Sequence, residues 1–223
     1  GGFHFQSYSL SGTGYVASVN PASGTFFGLR VNYQKEKDSF YAFQFRNRIG
    51  QTTYTGLTGL TPTGVTLRTY FYELITYGKL LEHIENDIIK KIRLGLGYTI
   101  HRRSAELTSP NAIFTSQTHH GLTLNAAYEV LANEEWYVDT HLQFYLPWKF
   151  HEDASATGFH SSTFGWELGG ELNYFLTPKI DVSVGLTFRQ DRNGYTGVGA
   201  RGTTDGSEAL TTIAIPANIT FKF

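Results

Sequence analysis

Apolar and polar residues alternate along most of this chain with a period of two. Over 180–189, Ile180, Val182, Val184, Leu186 and Phe188 fall on one face of an extended strand. Asp181, Ser183, Gly185, Thr187 and Arg189 fall on the other. Upstream, Phe164, Trp166, Leu168, Leu172 and Tyr174 alternate with Gly165, Glu167, Gly169, Glu171 and Asn173, and a tight turn at Thr177-Pro178-Lys179 joins the two segments. Residues 136–148 set Trp136, Val138, Leu142, Phe144, Leu146 and Trp148 against Tyr137, Asp139, His141, Gln143 and Tyr145. The same alternation runs through 3–10, 25–35, 39–49, 65–80, 88–101, 119–130 and 213–223. In 65–80, Tyr70, Tyr72 and Leu74 are assigned outward so that Glu73 points inward. The pattern predicts ten strands, with lengths suited to the roughly 9–11 residues that cross a bilayer as a tilted strand.

The connections sort into two classes. Short ones lie near 35–38, 81–87, 131–135 and 176–179; longer ones, rich in Gly, Thr, Ser and Asn, lie near 11–24, 50–64, 103–118, 149–163 and 190–208. They alternate strictly, which leaves both termini on the short-turn side. The predicted fold is all-β: one domain over 1–223, an antiparallel transmembrane β-barrel of about ten strands with short periplasmic turns and long extracellular loops. Period two alone does not say which face is inside, and a lipocalin-like soluble barrel shares it. Aromatic residues at strand ends and glycines mixed with charge on the polar face favour the membrane arrangement, because mid-strand glycine weakens a strand but makes room in a crowded lumen.

Composition narrows the classes further. Charged residues make up 17% of the chain, below the roughly 25% usual in soluble domains, and aromatic residues 15%. The net charge of −1 gives no bulk attraction to nucleic acid. Cysteine is absent, which removes disulfide frameworks and thiolate metal sites. Methionine is absent even at position 1, so a processed mature form is expected. No apolar run reaches the length of about 18 residues that a membrane helix needs, so a membrane crossing here is made by strands.

The last segment carries the most specific signal. Ile213, Ile215, Ala217, Ile219, Phe221 and Phe223 share one face, and the sequence ends on an aromatic residue. This strand resembles the closing strand of bacterial outer-membrane β-barrels, in which a terminal Phe preceded by apolar residues at every second position is read by the barrel-insertion machinery. The resemblance implies residence in the outer membrane of a Gram-negative-type envelope with periplasmic termini. The implied partners are the lipid bilayer, lipopolysaccharide and the insertion machinery, the last through Ile215, Ile219, Phe221 and Phe223. On the lumen side of that strand, Pro216 lacks an N–H and predicts a gap or bulge at a closing seam.

The predicted inner face carries both signs: Arg30, Arg46, Arg48, Lys91 and Arg93 against Glu73, Asp139, Glu167, Glu171 and Asp181, with His141 among them. Charges taken from water need partners. Ten strands enclose little more space than side chains can fill. Two readings stay open, a polar plug of ion pairs or a narrow solute path. His101, His119, His120, His151 and His160 map to the upper ends of neighbouring strands, where converging imidazoles with Glu152 and Asp153 would bind a transition metal or titrate near pH 6.5. Their spacing matches no defined metal motif, and no cofactor is implied. Asp139 and His141 share a face, with Ser183 as a conceivable nucleophile, but no oxyanion donors accompany them and a non-enzyme is expected. Arg102, Arg103, Arg192 and Arg201 suit contacts with lipopolysaccharide phosphates. Tyr54, Phe114, Phe159 and Tyr195 fall in the predicted loops, where they would support adhesion or pack the loops together. The role expected is a structural or surface-binding barrel with an occluded lumen; the alternative is a narrow channel.

Overall fold

Each alternating segment forms a strand in the computed structural model, which describes residues 1–12, 15–34, 42–54, 65–78, 80–81, 83–106, 116–133, 135–152, 159–197 and 205–221. The strands are β1 (Gly2–Gly12), β2 (Tyr15–Gln34), β3 (Ala42–Tyr54), β4 (Val65–Gly78), β5 (Ile92–Glu106), β6 (Gln117–Ala132), β7 (Trp136–Glu152), β8 (Phe159–Thr177), β9 (Ile180–Thr196) and β10 (Asp205–Phe221). All pair antiparallel with their neighbours in sequence, and β1 pairs with β10. The sheet therefore closes on itself and leaves no free edge.

The side chains are distributed inside out relative to a soluble barrel. Leu29, Leu96, Leu124, Leu168, Leu172, Leu186 and Ile219 lie exposed on the outer wall, while Glu73, Glu167, Glu171, Asp181 and Arg189 are buried in the lumen. An apolar belt of this extent is stable only against lipid, and the polar side chains turn to one another in the lumen. The outer wall carries aromatic residues as well, such as Trp148 and Tyr98, whose ring centroids lie 5.8 Å apart. Inward glycines make space for bulky partners: a Cβ on Gly169 would collide with the His141 ring.

The connections differ from expectation at both ends of the barrel. Of the long loop expected over 11–24, residues 11–12 and 15–24 are strand, with Gly12 facing Tyr15 and Leu10 facing Ala17. Likewise β5, β7 and β9 run on to Glu106, Glu152 and Thr196. Beyond the apolar belt neither face of a strand has to be apolar, so the alternation fades while backbone pairing continues. Tyr54 and Tyr195, assigned to loops, are buried strand residues. At the other end, the strand expected from 88 begins at Ile92, after a single helical turn, α1 (Asp87–Lys90). Asn86 caps it, its side-chain oxygen accepting from the N–H groups of Ile88 and Ile89 at 2.9 and 3.3 Å.

Pro216 interrupts the sheet on one side only. Its pairing with Gly2 in β1 is continuous, whereas the β10–β9 ladder passes from Ala214↔Thr187 to Ala217↔Val184 with the two intervening pairs missing. Gly1 and Ala217 exchange both backbone hydrogen bonds, at 2.7 and 2.8 Å, so the ring nitrogen of the preceding residue must face β9. The gap therefore lies at the β9 side, while the β1 closure is intact.

Candidate functional site: the lumen

The lumen is built in layers, from the short-turn end toward the long-connection end. In the lowest layer Arg30 of β2 reaches across to Glu171 of β8, its Nη1 donating to Oε2 at 2.8 Å. Ser183 also donates to Glu171, at 3.1 Å. Arg93 faces Asp139 at 3.5 Å, and the Tyr137 hydroxyl donates to Asp181 at 2.9 Å.

The middle layer spans the whole barrel. Arg46 donates through Nε to Glu73 at 2.7 Å, and Gln143 and the Tyr145 hydroxyl donate to the same carboxylate at 2.8 and 2.6 Å. Glu167, on β8, accepts from Arg48 at 3.3 Å and lies 3.7 Å from Arg46, both on β3. The strands β3 and β8 are diametrically opposed in the ring of ten. His141 Nε2 sits 3.2 Å from Glu167, and Arg189 Nη1 3.7 Å from it.

Above this layer Arg189 binds Asp191 through Nε and Nη2 at 2.7 and 2.9 Å. Its guanidinium is held between the rings of Phe71 and Tyr145, 4.0 and 3.9 Å from their centroids. Higher still, Arg103 pairs with Glu208, and Gln117, Asn193 and Tyr195 converge on the same carboxylate.

The residues assigned to the lumen from sequence come together except one. Lys91 is exposed, follows α1 and lies outside the strands; the helical turn before it takes up the residues that would have carried it inward. Arg103, assigned to surface phosphate contacts, is a buried lumen residue, whereas Arg102 and Arg192 are exposed. Arg201 and Phe114 fall outside the described residues, as do Asp153 and Phe223. Ile215, Ile219 and Phe221 face outward.

The rim histidines do not form one constellation. His101 and His119 are cross-strand partners inside the lumen, with ring centroids 5.7 Å apart. His120 is the next residue on the same strand and therefore faces the other way, 3.0 Å from the outward Tyr98 hydroxyl. His160 stacks on Phe150 at 4.0 Å and bonds Thr163, and His151 is exposed. Among the described residues no three His, Asp or Glu side chains are grouped to hold a metal ion. Nor does the acid–base set assemble, because Asp139 is taken by Arg93, His141 by Glu167 and Ser183 by Glu171.

Arg189, Asp191, Arg103, Glu208 and Gln117 were not recognised as lumen partners from sequence. The parity of each strand would have found them, since each continues the inward face upward. No protein-family model matches the chain, and no curated protein matches it by sequence. Among solved structures it is similar to the NanC porin, with 10% identity, 96% of this chain and 99% of that one covered, and a TM-score of 0.33. An outer membrane channel from Pseudomonas putida F1 gives 13% identity, 96% and 93% coverage and a TM-score of 0.39. Outer-membrane expressed OmpT of Vibrio cholerae gives 12% identity, 90% and 64% coverage and a TM-score of 0.35.

Proposed function

We propose that this chain is a non-enzymatic outer-membrane barrel of a Gram-negative-type envelope, structural or surface-binding, whose lumen is closed to bulk solute flow. The observation that carries the reading is the middle layer: Arg46 and Arg48 on one wall meet Glu167 on the opposite wall. Ion pairs spanning the full width support a lumen obstructed at that height. In this reading the termini are periplasmic, Ile215, Ile219, Phe221 and Phe223 present the insertion signal, and the exposed Arg102 and Arg192 face lipopolysaccharide phosphates. The loops then provide whatever surface binding the protein performs.

The test is reconstitution into planar bilayers. The wild-type barrel is expected to be electrically silent at high protein load, while Glu167→Ala, which removes the central bridge, is expected to show resolvable openings. Reproducible unitary conductance of the wild type, altered by Arg93→Glu or Glu167→Lys, would support a narrow channel instead. One feature favours that second reading, the small voids above the middle layer, lined by His101 and Arg189.

A further inference from the structure

Above the middle ion-pair layer lie two small voids that share His101, Arg189, Asp191 and Leu210 as lining residues. Each admits little more than a water-sized group. Five buried polar atoms of residues around this space make no hydrogen bond: Thr99 Oγ1, His101 Nε2, His119 Nδ1, Arg103 Nε and Arg189 Nη1. All five residues line the same void, and each is more than nine-tenths buried. Buried polar groups without partners are rare because each gave up a bond to water. Five around one void mark a place that an occupant completes.

The donors define that occupant. A guanidinium can only donate, and each neutral imidazole has one N–H it can turn inward. Arg189 is rigid here: two of its nitrogens bind Asp191, two aromatic rings clamp its faces, and the third, Nη1, makes no hydrogen bond and lies 3.7 Å from Glu167. Asp191 is the one carboxylate among the lining residues, and its charge is already paired with Arg189 through both its oxygens. A cation would meet Arg189 and Arg103 with no free carboxylate to offset them. We propose that this void is a binding site for a small monovalent anion, a halide or a carboxylate of formate size, held by Arg189 and the His101–His119 pair. The site goes beyond the closed-lumen reading, since an anion can reside there in a silent or a conducting barrel.

Bromide is the probe. Crystals of the folded barrel grown in bromide are expected to show an anomalous peak within hydrogen-bonding distance of Arg189 Nη1 and one of the two imidazoles. A water at that position with no anomalous signal at saturating bromide would overturn the proposal, whatever the conductance. In solution, the excess chloride-35 NMR line width caused by the folded barrel is expected to need roughly tenfold more chloride to saturate in Arg189→Gln, for the loss of one hydrogen bond to a charged group. Should Arg189→Gln lose the gel shift of a folded barrel, the doubly substituted Thr99→Val, His119→Phe chain takes its place with the same expectation. Line width unchanged in the folded variant sinks the assignment.

Discussion

Glu167 shows how much a single lumen residue can hold. Its carboxylate is 1% exposed and faces Arg46, Arg48, Arg189 and His141. Desolvating four such groups is costly, and their mutual attraction repays it only while the set is complete. Glu167→Gln leaves three arginines without their shared counter-charge and is expected to cost about 3–5 kcal/mol. Urea unfolding of the barrel in detergent micelles, followed by tryptophan fluorescence, measures it. The double variant Glu167→Gln, Arg48→Gln is expected to lose less than the two singles added together, because one unpaired charge has gone. Strict additivity would mean that the pair is not coupled. The inward direction of Glu167 was legible in its alternation with Trp166 and Leu168. The partner was not legible, because Arg46 and Arg48 lie more than a hundred residues earlier and meet Glu167 only once the sheet has closed. The histidines misled for a related reason: their shared height on neighbouring strands suggested one cluster, while the pleat sends His119 and His120 to opposite sides.

Among the elements, strand count and pairing order were legible because lipid imposes alternation on every crossing segment. Strand ends were not, because above the apolar belt the requirement lapses, as in β2 from Tyr15 onward. The turn before β5 failed for the opposite reason: Ile88 and Ile92 fit a strand pattern locally, but Asn86 offers a helix cap and the backbone takes it. Pro216 illustrates what register adds to parity. Its inward face was readable from sequence, whereas the side of the strand on which its missing N–H falls depends on the Gly1–Ala217 bonds. Restoring that N–H by Pro216→Ala is expected to close the β9–β10 ladder. Hydrogen exchange tests this directly: the new amide at 216 should exchange as slowly as its strand neighbours at 214 and 217. Exchange at loop rates would show that the interruption has a cause other than the proline ring.

For the molecule as a whole, the inside-out distribution of side chains decides the solvent. A water-soluble barrel would treat Leu168 as a surface residue, and charging it would be neutral or would improve solubility. In a lipid-embedded wall the same position is 51% exposed to hydrocarbon. Leu168→Arg is then expected to destabilise the folded barrel in phospholipid vesicles by about 2–4 kcal/mol, the cost of a guanidinium near the bilayer midplane. A matched substitution at Phe159, also on β8 but close to the long-connection end, is expected to cost about 0–1 kcal/mol, as interfacial positions do. The gradient between the two is the diagnostic quantity, because a soluble barrel has no reason to distinguish mid-strand from strand end. Equal costs at both positions, or a Leu168→Arg chain that stays folded and monodisperse without detergent, would remove the bilayer from the account. With it would go the constraint that turns the polar face inward and brings Arg46, Arg48 and Glu167 into contact across the lumen.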